Sequence, residues 1–225
     1  MSLSKVSESA WDSAIAQLTI YWDDVCERWG LGPLPLIKGV LLWLSWTGLT
    51  WGAFALSLAF VEVGERGDIA PLDGLLGGCL IGAAQWLTIR HYVTHAYRWI
   101  LVNALCWGAL ALLHIGAIGW IAPETSNLIV RVLFGLFYGF YVGLVLGAGQ
   151  WWVMRQRVVR AWRWVLLSAG IWSVAIAFGW LTGGVLRLIS NLFVSEVIGL
   201  CVAWALVAAL SGIAVVGMVH QADNR

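Results

Sequence analysis

Six long apolar stretches constrain the fold of this chain more than any other feature of its sequence. A transmembrane helix needs about 20 mostly apolar residues, and a helix satisfies its own backbone hydrogen bonds in lipid. The chain is 61% hydrophobic and 11% charged, whereas a soluble domain carries about 25% charged residues. We therefore predict an all-α polytopic membrane helix bundle. Its six transmembrane helices are expected at approximately residues 39–61, 72–89, 99–121, 132–153, 164–182 and 193–218.

Helix-breaking residues stand between these stretches, as connections between membrane helices require. Pro71 and Asp73 suit the first turn of the second helix, because proline loses no hydrogen bond there and a carboxylate meets the positive end of the helix dipole. Gly183 and Gly184 are expected in the connection after the fifth helix. The remaining breakers are Gly64, Gly67, Pro123 and Asn127.

The distribution of Lys and Arg predicts which side of the membrane holds the termini. Cytoplasmic connections of membrane proteins are enriched in these residues. Both termini share one side with the connections "RHYVTHAYR" and "RQRVVRAWR", and that side carries ten of the 13 basic residues. The opposite side carries Arg66, Arg131 and Arg187. We therefore expect both termini in the cytoplasm.

Residues 1–34 are predicted to form a cytoplasmic or interfacial amphipathic helix ahead of a six-helix transmembrane domain over residues 35–225. Apolar residues in this segment step by three and four positions, which places them on one face of a helix. The other side is acidic, whereas membrane-surface helices usually carry Lys and Arg there. We therefore expect residues 7–29 to pack on the protein's own cytoplasmic face or on a partner. The alternative is that their tryptophans insert at the lipid interface. The apolar positions are Trp11, Ile15, Leu18, Trp22, Val25 and Trp29.

An internal repeat of 65 residues divides the transmembrane domain into three helical hairpins. When residues 82–107 are shifted onto 147–172, twelve of the 26 positions are identical, including one Gln, two Arg and three Trp. Trp43 and Trp51 repeat the eight-residue Trp spacing in the first span. Hairpins of one orientation are related by an axis along the membrane normal. A closed pseudo-threefold bundle and an open row are both permitted. The hairpins cover about 36–90, 99–155 and 164–220.

The motif G-x-x-Q-W-x-x-x-R occurs at residues 82–90 and 147–155, each time followed by a basic turn and a Trp-led span. In this pattern the chain resembles uncharacterised bacterial six-helix integral membrane proteins with the same repeated motif. The resemblance covers most of the membrane portion. It implies a location in a bacterial inner or internal membrane, and it implies no activity, ligand or catalytic residue.

The polar residues of this motif are candidates for a packing or ligand site. Gln85 and Gln150 each follow a glycine by three residues, so each lies near the packed side of its helix. The favoured interpretation is an amide that bonds two adjacent helices, and the alternative is a pair of amides lining a polar pocket. Arg90 and Arg155 lie five residues further, about 7.5 Å along the helix axis, at headgroup level. His220 takes the arginine's place in the third hairpin.

Other charged residues suggest two further features. Arg131 and Glu196 occupy equivalent positions near the outer interface, so we hypothesise an ion pair in which charge reversal at both positions rescues a single reversal. The second basic connection sets topology, or docks an anionic lipid or an acidic partner, since each basic residue near anionic lipid is worth about 1 kcal/mol. Its arginines are Arg155, Arg157, Arg160 and Arg163.

No cofactor, metal site or enzyme activity is predicted. His114 is the one histidine well inside a span and the sole candidate metal ligand, and a hydrogen-bonded polar side chain is the favoured interpretation. The four cysteines form no C-x-x-C pair. Hydrolase, P-loop and metalloprotease motifs are absent from the sequence. A net charge of +1 gives no basic footprint for nucleic acid.

We expect a non-enzymatic integral membrane protein that serves as a scaffold, assembly or regulatory subunit of a membrane complex. It would contact membrane lipids and bind a protein partner through residues 7–29. The alternative is a small-solute transporter or channel with Gln85 and Gln150 in its path, and a third hypothesis is haem or pigment binding. A transporter should expose one of these glutamines to a water-filled cavity, whereas glutamines sealed between helices argue against transport.

Overall fold

Six helices account for most of the described chain. The computed structural model describes residues 13, 16–17, 20–21, 36–64, 69–113, 118–156, 158 and 160–223. Five of these helices are long and apolar enough to cross a membrane, and the third, Tyr97–Leu112, is shorter. The predicted all-α membrane bundle is therefore confirmed, and the chain is a multi-pass membrane protein. The helices are α1 (Leu36–Ser57), α2 (Pro71–Ile89), α3 (Tyr97–Leu112), α4 (Leu128–Met154), α5 (Arg163–Ser190) and α6 (Val194–Asp223).

The helices form a closed ring in chain order. Each helix packs against the next, and α6 packs against α1, so the bundle is not an open row. Glycines bring neighbouring backbones together: a Cβ on Gly139 of α4 would lie 2.5 Å from the Trp172 carbonyl oxygen of α5. A Cβ on Gly78 of α2 would lie 2.7 Å from the Asn103 carbonyl oxygen of α3. Such close approach favours helix association in lipid, where no hydrophobic force draws helices together.

The third span differs from its prediction over residues 99–121. Helix α3 ends at Leu112 and has 16 residues, about 24 Å at 1.5 Å per residue, which is shorter than a bilayer core of about 30 Å. Residues 118–122 are buried and non-helical. Gly64 donates its N–H to the Trp120 carbonyl at 3.2 Å and accepts from Ala122 at 2.9 Å. These bonds satisfy backbone groups that a helix would otherwise pair internally.

The prediction that Gly183 and Gly184 belong to a connection is wrong, because both lie inside α5. The helix continues to Ser190, and the next residue, Asn191, adopts a left-handed φ of 57° and donates its N–H to the Arg187 carbonyl at 2.8 Å. Asparagine is one of the few non-glycine residues that tolerate this conformation. The two glycines make room for charged side chains instead, as described below.

The two basic connections fold alike. His95 and Arg160, 65 residues apart, both have φ of 55°, and each accepts a backbone hydrogen bond of 2.9 Å from the residue three positions later. We call the end of the bundle that carries residues 90–98 and 155–163 the basic end. The opposite end, which carries residues 58–64, 118–127 and 191–193, is called the ion-pair end.

Five residues of the N-terminal segment are described, and all are helical and exposed. The apolar residues of the predicted amphipathic helix lie outside the described residues, so its packing stays a prediction. The described positions are Ser13, Ala16, Gln17, Ile20 and Tyr21.

Candidate functional site

Two layers of aromatic side chains fill the interior of the ring. Each odd-numbered helix supplies two aromatic residues spaced eight apart, so that both project from the same helix face. The Trp99 ring centroid lies 6.1 Å from that of Trp46 and 6.3 Å from that of Trp164. The layer nearer the basic end consists of Trp46, Trp99 and Trp164, and the other layer consists of Phe54, Trp107 and Trp172, all buried.

On α1 the two tryptophans with the eight-residue spacing are not members of the interior layers. Trp43 and Trp51 lie toward the outside of the ring, where their indole N–H groups donate to the carbonyls of Ala209 at 2.8 Å and Cys201 at 3.0 Å on α6. Trp51 is 41% exposed and Trp43 is half-buried. Trp46 and Phe54, three positions later, face inward instead.

A belt of polar side chains lies between the two aromatic layers. On the odd-numbered helices the polar residue comes four positions after the first aromatic, one turn along the same face. The even-numbered helices each supply one further residue. All six side chains are buried. We call Thr50, Gln85, Asn103, Gln150, Ser168 and Ser211 the polar belt.

Tryptophan N–H groups hold the two glutamines. Trp99 donates from Nε1 to Gln85 Oε1 at 2.9 Å, and Trp164 donates from Nε1 to Gln150 Oε1 at 2.7 Å. Each bond joins an even-numbered helix to the helix that follows it. In this geometry each glutamine bonds two adjacent helices, which is the interpretation that the sequence favours.

Further hydrogen bonds extend the network around the ring. Gln150 donates from Nε2 to Asn103 Oδ1 at 3.1 Å, and Asn103 donates from Nδ2 to the Trp99 carbonyl at 2.8 Å. Trp46 donates from Nε1 to Ser211 Oγ at 2.9 Å. These bonds satisfy polar groups that find no water to bind in the membrane interior.

A small central cavity lies inside the belt. Its volume is about 20 Å³, which is enough for at least one water molecule. A typical ligand pocket is much larger, at a few hundred Å³. Gln85 and Gln150 both line it, and each is only 6% exposed. The structure thus closes the two amides off from bulk solvent. We call this space the central cavity; its polar lining is Gln85, Asn103, Gln150, Ser168 and Ser211.

Two buried hydroxyls in the described chain have no hydrogen-bond partner. They are Thr50 Oγ1 in the belt and Thr88 Oγ1 one turn from Gln85 toward the basic end. A buried hydroxyl usually finds a partner, and leaving one unmade costs free energy. Thr50 is fully buried, so the belt combines hydrogen-bonded amides with one hydroxyl that lacks a partner.

The motif arginines mark the ends of their helices. Arg90 and Arg155 are exposed residues just beyond α2 and α4, and their guanidinium carbons lie 5.5 Å from the Trp86 ring and 5.8 Å from the Trp151 ring. Such contacts hold a cation over an indole face. Neither arginine reaches the central cavity, so the motif contributes its glutamines to the belt and its arginines to the surface. The side chain of His220 lies outside the described residues.

The basic connection after α4 presents its arginines to the surroundings. Arg155, Arg160 and Arg163 are exposed, and Arg157 lies outside the described residues. Trp152, itself 45% exposed, stands beneath two guanidinium groups, with Arg98 at 5.6 Å and Arg155 at 6.0 Å from its ring centroid. This surface is basic and aromatic, as expected where a bundle meets lipid headgroups.

The structure brings Arg131 and Glu196 together at the ion-pair end. Arg131 donates from Nη2 to Glu196 Oε1 at 2.7 Å and from Nη1 to Glu196 Oε2 at 2.8 Å. Both side chains are almost fully buried within the bundle. A Cβ on Gly183 would lie 2.9 Å from Glu196 Oε2, and one on Gly184 would lie 2.8 Å from Arg131 Cδ, so these glycines create the space for the pair.

Arg131 also binds three backbone carbonyls. It donates to the carbonyls of Thr125 at 2.6 Å, Pro123 at 3.2 Å and Trp180 at 3.3 Å. The guanidinium therefore ties the segment before α4 to α5 and α6. Arg187 adds a longer contact of 3.4 Å to Glu196 Oε1.

Several belt residues were not singled out from the sequence, namely Thr50, Asn103, Ser168 and Ser211. Asn103 and Ser168 correspond under the 65-residue shift and lie midway between buried tryptophans, so their spacing carried a signal. Trp120 was also missed: it is fully buried and donates from Nε1 to Ser57 Oγ at 2.8 Å. Nothing local in the sequence indicates that a connection inserts a tryptophan into the bundle.

Metal-binding clusters of three or more His, Cys, Asp or Glu are absent from the part of the chain that the structure describes. His114 lies outside that part, so its environment stays a prediction. No protein-family model matches this chain, and no curated protein or solved structure matches it either.

Proposed function

We propose that this protein is a non-enzymatic subunit of a membrane complex, acting as a scaffold, assembly or regulatory component. The observation that carries the proposal is the filled interior. Two aromatic layers and a hydrogen-bonded polar belt leave a central cavity of only about 20 Å³. Because side chains fill the interior, the outer surface and the connections are the parts of the bundle that can bind a partner.

The proposed location is a bacterial inner or internal membrane, with the basic end and both termini in the cytoplasm. Exposed arginines at that end, including Arg155, Arg160 and Arg163, support this orientation through attraction to anionic lipid. Residues 7–29 are the proposed docking segment for a protein partner. Their apolar residues step by three and four positions, and this apolar seam fits an amphipathic helix that packs on another surface.

Affinity purification of the full chain from its native membrane in mild detergent tests this role. A stoichiometric partner should co-purify and should be lost when residues 1–30 are removed. Trp22→Ser, on the proposed seam, should weaken the association, whereas Gln17→Ser, at an exposed position, should leave it intact. Recovery of the full chain as a lone monomer, without a partner, would count against the scaffold role.

A second candidate is a transporter or channel for a small solute. The polar lining of the central cavity supports it, because membrane transporters place uncharged and charged polar groups at a midplane site. The closure of both glutamines argues against an open path in this conformation. Flux of a small solute into proteoliposomes that is lost in a Gln85→Leu, Gln150→Leu double variant would favour transport, and equal flux with and without protein would remove it.

A further inference from the structure

A second cavity lies immediately beyond the aromatic layer, at the basic end. It is also about 20 Å³ in volume, and its lining is wholly apolar. Tyr92, Val93 and Val158 from the basic connections line it, together with Trp99. We call it the basic-end cavity. Trp99 donates its indole N–H to Gln85, which lines the central cavity. Of the three rings in the layer nearer the basic end, Trp99 is the one that lines the basic-end cavity.

The chemistry of the central cavity selects against ions. All the described residues that line it are uncharged, and an ion buried without an opposite charge carries a large desolvation cost. The lining does offer amide and hydroxyl groups, including Gln150 and Ser211, between aromatic surfaces. A molecule that fits this space is therefore small, neutral and able to donate and accept hydrogen bonds.

The opposite side of the central cavity is closed more heavily. Trp107, Trp172 and Trp204 line it there, with ring centroids 5.0 to 5.9 Å apart. Trp120 packs behind them, 4.9 Å from Trp107. Exchange toward the ion-pair end needs several of these rings to move. Exchange toward the basic end crosses the layer of Trp46, Trp99 and Trp164, of which Trp99 alone lines the basic-end cavity.

We propose that the central cavity is a binding site for a neutral, water-sized, hydrogen-bonding molecule, and that Trp99 is the gate through which this molecule exchanges with the basic end. Breaking the Trp99–Gln85 bond and rotating the indole joins the central cavity to the basic-end cavity. What the cavity holds and how it opens are separate from whether the protein transports a solute or scaffolds a complex.

Two matched variants test the gate. Trp99→Phe and Trp180→Phe each remove one buried indole hydrogen bond, yet Trp180 lines neither cavity whereas Trp99 lines the basic-end cavity. The reporter is the indole proton of Trp46, which binds Ser211 at the central cavity. Its deuterium exchange is followed by NMR on the ¹⁵N-tryptophan-labelled full chain in nanodiscs transferred to D₂O.

The exchange of the Trp46 proton should accelerate about threefold to thirtyfold in Trp99→Phe, the range expected for loss of one interhelical hydrogen bond. It should change less than about twofold in Trp180→Phe, because Trp99 still closes the cavity. Equal acceleration in both variants, or none in Trp99→Phe, overturns the gate.

Occupancy is tested on the unmodified chain, so it does not depend on how the variants fold. Water is the probe, and nuclear Overhauser transfer from water is measured at the Gln150 side-chain amide and the Trp46 indole. Transfer at both groups is expected from a water molecule resident in the central cavity. Absence of transfer at both shows an empty cavity and overturns the binding site.

Discussion

Arg131 of α4 and Glu196 of α6 form a bidentate ion pair of 2.7 and 2.8 Å in which both side chains are almost fully buried. The pair joins two helices that are not consecutive in the chain. It also anchors three backbone carbonyls through the guanidinium. Its arrangement gives the first prediction.

Glu196→Ala should destabilise the bundle by about 3–5 kcal/mol, because it leaves the Arg131 charge buried without its partner. Replacing both residues by methionine should recover part of this loss. The rescue by double charge reversal that the sequence suggests is no longer expected, because a carboxylate at position 131 would face three carbonyl oxygens. The measurement is thermal unfolding in detergent, followed by size-exclusion fluorescence. Full rescue by the double reversal would show that those carbonyls matter little.

Gln150→Leu should destabilise the protein more than Gln85→Leu. Both lose a bond from a tryptophan, and Gln150 additionally donates to Asn103. An interhelical hydrogen bond in membranes is worth about 0.6 kcal/mol on average and up to about 2. A double-mutant cycle of Gln150→Leu with Trp164→Phe should show coupling of that size. A coupling energy near zero would contradict the tie between α4 and α5.

Gly143→Ala should destabilise the bundle by about 1–3 kcal/mol, the usual cost of overpacking a close contact. A Cβ there collides with the Ser168 carbonyl oxygen and the backbone of Ala169, which have no room to retreat. Gly170→Ala is the matched control, since a Cβ at this exposed helical position meets nothing within 4 Å. Urea- or SDS-titrated unfolding of both variants separates packing from helix propensity. Similar losses in both would point to helix effects alone.

Trp120→Ala should cost about 3–5 kcal/mol, as expected when a large buried aromatic leaves a cavity. The control is Trp162→Ala at the basic end, where the side chain is 53% exposed and the change should stay within about 0.5 kcal/mol. Melting temperatures in nanodiscs provide the comparison. A Trp120 variant as stable as the Trp162 variant would mean that residues 118–122 do not pack into the bundle in solution.

Much of the architecture was predictable because it depends on local properties. The length of each apolar run and the spacing of charges place helices and connections without knowledge of their neighbours. Gln85 and Gln150 were identifiable for the same reason, since a polar amide in an apolar run needs a partner wherever the helix lies. Gly183 and Gly184 were misassigned because a glycine that breaks a soluble helix serves as a packing residue inside a membrane.

The sequence by itself determined that this chain is a membrane bundle of apolar helices with polar residues at set depths. Tertiary structure alone decided which face of each helix turns inward, that α6 closes on α1, and that Trp46 and Phe54 rather than Trp43 and Trp51 join the interior aromatic layers. The physical reason is that these helices are apolar on all sides, so hydrophobicity does not distinguish a lipid-facing side from a buried one. Close packing and interhelical hydrogen bonds make that choice, and both depend on neighbours distant in sequence.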